Sequence, residues 1–140
     1  MPHNIFRILA VLWVLPAVAF GEGPSLYVRL GGKPGVQRLS ESFVRRLRAD
    51  ASLWRTQKMR EYKARVPEDQ ASRALAQRIC EVSRDGCSPL KEALPPIPQG
   101  VRLDPLDWLQ ISTHAEHAMI DAKVPTRERL EVIQLLIRAR

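Results

Sequence analysis

The 140-residue chain has few of the residues that usually carry chemistry: three histidines, two cysteines and 6% aromatic residues. No Ser-His-Asp set for nucleophilic catalysis can be picked out. Gly31-Gly32-Lys33 lacks the earlier glycine and the following serine or threonine of a phosphate-binding loop. The two cysteines do not form a C-x-x-C redox motif. We therefore predict no catalytic residues, and the aromatic rings are few for a domain that wraps a large flat cofactor.

Residues 1–19 have the pattern of a cleaved export signal. One positive charge is followed by 13 uninterrupted apolar residues at 8–20, and Ala17-Val18-Ala19 is an A-x-A cleavage site. A membrane-spanning helix needs about 20 apolar residues, so we expect no stable membrane span. We expect cleavage after Ala19, one mature domain at 20–140, and a periplasmic or secreted location.

The chain carries a formal net charge of +7 but no long block of one sign. Its arginines are interspersed with acids, as on a solvated basic surface. An exported protein rarely meets nucleic acid, so we expect no nucleic-acid partner. Weak attraction to anionic envelope lipids or to acidic proteins is the alternative use of this charge.

Apolar residues recur at helical spacing along most of the mature chain, so the predicted fold class is all-α. Two glycines and Pro34-Gly35 predict a turn before the first long helix, 36–49. Pro67 and Asp104-Pro105 predict the starts of two further helices. The segment 123–128 predicts the start of the last helix.

A proline-rich loop at 95–100 precedes the last two predicted helices, because three prolines in four residues cannot form a regular helix. The first of these two helices carries Leu106, Leu109, Ile111, Thr113, His117 and Ile120 along its length. The last helix has an apolar stripe of Leu130, Ile133, Leu136 and Ile137.

Three segments of the chain have distinctive sequences. The first is L-Y-x-x-L-G-G at 26–32, followed by S-F-V-R at 42–45. The second is the cysteine-containing stretch ICEVSRDGCSPLKEAL at 79–94, and the third is K-V-P-x-R-E at 123–128. In this order the three segments resemble group 1 truncated haemoglobins of bacteria. The resemblance implies a truncated globin-like fold of two crossed antiparallel helix pairs over residues 20–140.

The same resemblance implies a haem cofactor with oxygen or another diatomic gas as its ligand. Phe43 stands where the family packs a phenylalanine against haem. The helix that carries Leu75 and Ile79 lies over the distal face of haem in the family. Phe43, Val44, Leu75, Ile79, Leu94 and His117 are therefore the candidate cofactor-binding residues.

Three positions depart from the family pattern. Leu94 occupies the place of the histidine that ties the haem iron, in the run Leu90-Lys91-Glu92-Ala93-Leu94. Val44 stands at the usual distal tyrosine, and Arg78 stands where we expect an apolar residue. Leucine offers no lone pair to iron, so a bound haem would need another axial ligand.

His114 and His117 are the histidines left in the mature chain, three positions apart on a predicted helix. Either could replace the missing iron ligand, with Met119 as a further possible axial atom; the alternative is that both are ordinary polar residues. A zinc site would need at least one more ligand, and Glu116 and Asp121 are near without a persuasive spacing.

Cys80 and Cys87 are the two cysteines of an expected exported protein, which favours a disulfide. The six residues between them are enough to bring the chain back from a helix end. We predict a structural bridge rather than a redox pair.

Two functional hypotheses follow. The first is an exported truncated-haemoglobin relative that binds haem and a diatomic gas, with iron held by His117 or His114. The second is a haem-free globin fold that acts as a binding or interaction module for an unknown protein partner. Leu94, Val44, Arg78 and the proline-rich loop motivate the second hypothesis.

Overall fold

The computed structural model describes residues 23–83, 86–89 and 93–138. Within these ranges it contains six α-helices, one short 3-10 helix at Ala51–Trp54 and no strand, which confirms the all-α prediction. The expected signal at 1–19 and residues 90–92 lie outside the described residues. The α-helices are α1 (Leu26–Arg29), α2 (Gly32–Ala49), α3 (Gln57–Arg65), α4 (Glu68–Val82), α5 (Pro105–Asp121) and α6 (Thr126–Arg138).

Helix α2 begins earlier than the sequence predicts. Pro34 and Gly35 lie inside its first turns instead of forming a turn before it. Proline is tolerated there because the first amide groups of a helix have no intrahelical partner. The change of direction between α1 and α2 falls on Gly31 and Gly32, whose φ angles are +99° and +63°. Glycine adopts such positive φ values without steric cost.

The buried core surrounds α2, which packs against α1, α4 and α5. The most buried residues of this core come from α1, α2, α5 and the α5–α6 connection. These residues are Leu26, Leu30, Val36, Leu39, Phe43, Ala115, Ala118, Met119 and Val124. No helix among the described residues is long and apolar enough to cross a membrane.

Helices α2 and α4 run in opposite directions. The end of α2 lies beside the start of α4, where Arg48 Nη1 donates a hydrogen bond to the Val66 carbonyl at 2.8 Å. Lys63 Nζ donates to the Arg48 carbonyl at 2.6 Å. The second bond satisfies a carbonyl in the last turn of α2, and the first satisfies the carbonyl of Val66, the C-cap residue of α3. Together they hold the start of α4 beside the end of α2.

Helices α5 and α6 form a helical hairpin with a connection of only a few residues. The Val124 amide donates to the Met119 carbonyl at 2.9 Å, and the Val124 side chain is buried. At the other end of α5, Asp104 caps the helix as predicted and forms a capping box with Asp107. Hydrogen bonds from Arg55 lower the pKa of the buried Asp107 carboxyl.

Arg29 joins the first and last helices. Its guanidinium donates to Glu128 at 2.9 Å and to both carboxylate oxygens of Glu131 at 2.7 Å. Because these hydrogen bonds favour the charged carboxylates, they lower the pKa values of both glutamates. The same bonds raise the pKa of Arg29.

Acid should weaken this contact between α1 and α6. Folding lowers the pKa of both glutamates from the ordinary value of 4.5. The contact with Arg29 therefore contributes its full stabilisation of the folded state at pH values above 4.5. It is lost as the pH falls through the lowered folded values. Urea unfolding between about pH 7 and pH 3 should show this loss in wild type, and a smaller loss in Arg29→Met. Equal acid sensitivity of Arg29→Met and wild type would show that the contact does not stabilise the fold.

Candidate functional site

A cavity of about 240 Å³ lies between α2, α4, α5 and α6, and we call it the central cavity. Its walls are apolar except at two arginines. Because its lining comes from four helices, the cavity exists only when these helices are assembled. The lining residues are Leu39, Phe43, Leu75, Arg78, Ile79, Val82, Ala115, Met119, Val132, Leu135, Leu136 and Arg138.

Helical spacing explains how the walls are built. On α2 the residues Leu39 and Phe43 are four positions apart, and on α4 the same spacing separates Leu75 from Ile79. Side chains at i and i+4 lie on one face of a helix. Each of these helices therefore presents a pair of apolar side chains to the same space.

Three of the six candidate cofactor-binding residues line the central cavity: Phe43, Leu75 and Ile79. The other three are not among its lining residues. Val44 is buried on another side of α2, and Leu94 is 36% exposed in the segment before the prolines. His117 is exposed on α5.

The two histidines of α5 lie outside the central cavity. His114 Nε2 is 2.7 Å from Asp50 Oδ2, and this hydrogen bond is the largest cause of the lowered pKa of Asp50. Neither Glu116 nor Asp121 joins the two histidines in a metal-ligand set; Asp121 instead pairs with Arg46. The described ranges hold no group of three or more His, Cys, Asp or Glu residues placed to hold a metal ion.

The lining of the central cavity does not fit haem with a usual axial ligand. Haem iron is held by histidine, cysteine, tyrosine or methionine, the last as the second ligand beside a histidine in cytochromes. Among the lining residues only the Met119 thioether belongs to this set. The volume of about 240 Å³ is also below the roughly 300–1,000 Å³ that pockets for drug-sized ligands occupy.

Arg78 and Arg138 stand at the mouth of the cavity. The Arg78 side chain is 71% exposed although the residue contributes to the lining. A long arginine side chain can cover apolar surface with its methylene groups while its guanidinium stays in water. The sequence drew attention to Arg78 as a departure from an apolar pattern but gave no signal for Arg138.

A second cavity of about 420 Å³ lies between the 3-10 helix, α3 and the segment before α5. Three of its four charged side chains, those of Arg55, Lys58 and Asp107, already have partners within the protein. Arg55 binds Asp107, and Lys58 Nζ donates to the Gln99 carbonyl at 3.1 Å. This arrangement is that of a structural contact, so we take the central cavity as the candidate site.

Cys80 and Cys87 form a disulfide, as the sequence predicts, with a Cα–Cα distance of 5.9 Å. Cys80 lies in the last turn of α4, directly after the cavity residue Ile79. The bridge therefore fixes the chain that leaves the cavity wall.

Reducing this bridge should lower the free energy of unfolding by about 2–3 kcal/mol, because it closes a short loop in the unfolded chain. Urea unfolding with and without reductant measures the change. The Cys80→Ser/Cys87→Ser variant is the control. It should have the same free energy of unfolding as the reduced protein, and reductant should not change that value. A wild type whose stability does not change on full reduction would contradict a stabilising role.

No protein-family model matches the chain, and no curated protein sequence matches it.

Proposed function

We propose that the chain has a truncated globin-like arrangement, with α2–α4 and α5–α6 as its two crossed antiparallel pairs. The sequence support is the ordered resemblance at 26–32, 79–94 and 123–128. The structural support is that α2 packs on both α4 and α5, while α6 packs on α5. An apolar cavity between all four helices is where such an arrangement would keep a ligand.

The proposed function is to bind an apolar ligand in the central cavity. The proposed site holds no haem, so no imidazole–iron bond is needed. One observation carries this proposal: the cavity has an apolar wall of Phe43, Leu75 and Ile79, and neither histidine of α5 is among its lining residues. Apolar clefts with a few polar groups are the usual form of small-molecule sites. This proposal shares the absence of haem with the second hypothesis, but it replaces the expected protein partner with a small molecule.

The second candidate function is the haem and diatomic-gas binding that the resemblance implies. The position of Met119 favours it, because its sulfur-containing side chain is 1% exposed and lines the cavity. A thioether is a known axial ligand of haem iron. We place it second because methionine serves in cytochromes together with histidine, which this lining lacks.

Export to the periplasm or the cell exterior is also proposed. The apolar run at 8–20 with its A-x-A site supports export. The Cys80–Cys87 disulfide is compatible with it, since disulfides persist in oxidising compartments.

Two titrations of the purified mature chain test the proposed function. Decanol, a neutral apolar probe, should raise the Tm, because a ligand that binds only the folded state stabilises it. Hemin should give no absorption spectrum of imidazole-ligated haem, and His114→Ala and His117→Ala should behave like wild type.

Ala115→Phe is the matched variant, because it places an aromatic side chain in the cavity and should remove the effect of decanol. An imidazole-type haem spectrum that is lost in either histidine variant would overturn the proposal in favour of haem binding. A wild-type Tm that decanol leaves unchanged would overturn the binding function itself.

A further inference from the structure

The charge at the mouth of the central cavity indicates which chemical class of ligand the cavity binds. Arg78 on α4 and Arg138 on α6 come from different helices and are the two polar residues of the lining. No aspartate or glutamate is among the lining residues. The cavity is therefore apolar inside and positively charged at its opening.

Both guanidinium groups are available to a ligand. Arg78 Nη1 lies 3.4 Å from Glu81 Oε2, in an ion pair between side chains that are 71% and 46% exposed. Such exposed pairs are weak and readily exchange partners. Arg138 is exposed and makes no hydrogen bond or ion pair within the part of the chain that the structure describes.

From this arrangement we infer that the central cavity binds a free medium-chain fatty acid. The hydrocarbon chain lies among Phe43, Leu75 and Met119, and the carboxylate meets Arg78 and Arg138 at the mouth. A volume of about 240 Å³ suits one short alkyl chain rather than a large ring system or a two-chain lipid. This inference rests on the proposed function, since it names the ligand class of the same cavity.

Charge complementarity is what selects the carboxylate. A guanidinium can donate two parallel hydrogen bonds to a carboxylate, which gives geometric specificity as well as attraction. A neutral alcohol of the same length would fill the cavity equally well. It would gain little binding free energy at the mouth, because it has no charge to pair with the arginines. An amine of the same length would be repelled by both arginines.

The test compares decanoate, decanol and decylamine on the mature chain by calorimetry, each below its micelle concentration. We expect decanoate to bind about tenfold more tightly than decanol, because two solvent-exposed ion pairs each add a modest increment. Decylamine should bind more weakly than decanol. The preference for decanoate should fall with added salt, since the contacts at the mouth are exposed to solvent.

Arginine variants identify the source of this preference. Arg78→Gln and Arg138→Gln should each weaken decanoate binding about threefold and leave decanol binding unchanged. The double variant should bind both ligands equally. Arg73→Gln is the matched control, because Arg73 lies on the same helix, pairs with Asp69 at 2.8 Å and is not a cavity residue.

Equal affinity for decanoate and decanol in wild type would overturn the fatty-acid inference and leave the proposed apolar site intact. Absence of binding by all three probes would overturn both. Arginine-dependent binding to phosphatidylglycerol vesicles, with no binding of free decanoate, would assign the mouth to a lipid surface instead. Self-association of the chain that protects both arginines would assign it to a second copy.

Discussion

The Gly35→Ala variant should lose about 4 kcal/mol of folding free energy, which is among the largest effects of a single substitution. A Cβ atom at Gly35 would overlap the carbonyl oxygen of Leu30 and lie 3.1 Å from its carbonyl carbon. Both atoms belong to the backbone at the end of α1, so the clash cannot be relieved by a side-chain rotation. The connection between α1 and α2 would have to open, and the buried Leu26 and Leu30 would move with it.

Helix propensity by itself predicts the opposite result, because alanine is favoured over glycine by about 1 kcal/mol inside a helix. Urea unfolding of Gly35→Ala therefore separates close packing from propensity. Gly23→Ala is the control, since a Cβ atom there would have no neighbour within 4 Å, and its stability should match wild type. A Gly35→Ala protein as stable as wild type would show that α1 does not pack against α2 in this way.

The Met119→Ala variant should lose about 3–4 kcal/mol, because truncating a buried methionine removes apolar contacts and leaves a cavity. Met119 is 1% exposed and lies where α5 meets both α2 and the central cavity. Even after its walls relax, the central cavity of this variant would be larger than that of the wild type. We therefore expect decanol to stabilise Met119→Ala more than it stabilises the unchanged protein.

Two variants calibrate this measurement. Met119→Leu nearly conserves the side-chain volume and should cost less than about 1.5 kcal/mol. Met59→Ala truncates the half-buried methionine of α3, away from the central cavity, and should cost clearly less than Met119→Ala. Equal losses of folding free energy in Met119→Ala and Met59→Ala would mean that Met119 contributes no more to the core than a half-buried residue does.

The starts of α4 and α5 could be predicted from the sequence because their signals are local. Pro67 precedes α4 with acids in its first turn, and Asp104-Pro105 supplies both the cap and the first residue of α5. Such signals act within one helical turn. The disulfide could also be predicted, since the chain offers no other pair of cysteines.

The buried faces of the last two helices could not be read from hydropathy alone. On α5, Leu106 and Leu109 are exposed, while Ala115 and Ala118 are buried. On α6, Leu130 and Ile137 of the predicted stripe are exposed, while Ile133 packs against the core and Leu136 lines the cavity together with Leu135. Small residues let two helices approach closely, but hydropathy ranks leucine above alanine and so assigns the face to the larger side chains.

Part of the cavity lining could be predicted from the sequence, and the cofactor-binding role given to these residues stays a prediction. Phe43, Leu75 and Ile79 come together in one wall, because the periodic pattern of α2 and α4 places them on inward faces. The pairing of Arg29 with Glu128 and Glu131 joins residues about a hundred positions apart, for which a local pattern carries no information. The same reason applies to the meeting of Arg78 and Arg138 at one opening.

Methionine-methyl NMR of the mature chain tests the central claim most directly. The claim is that the cavity beside Met119 takes up an apolar ligand through its own side chains. Of the three methionines in the sequence, Met1 is in the expected signal, so Met59 and Met119 each give one resonance. Titration with decanol should shift the Met119 methyl resonance and leave Met59, beside the other cavity, unchanged. A Met119 resonance that does not move while the ligand binds, or a shift at Met59 alone, would contradict the account.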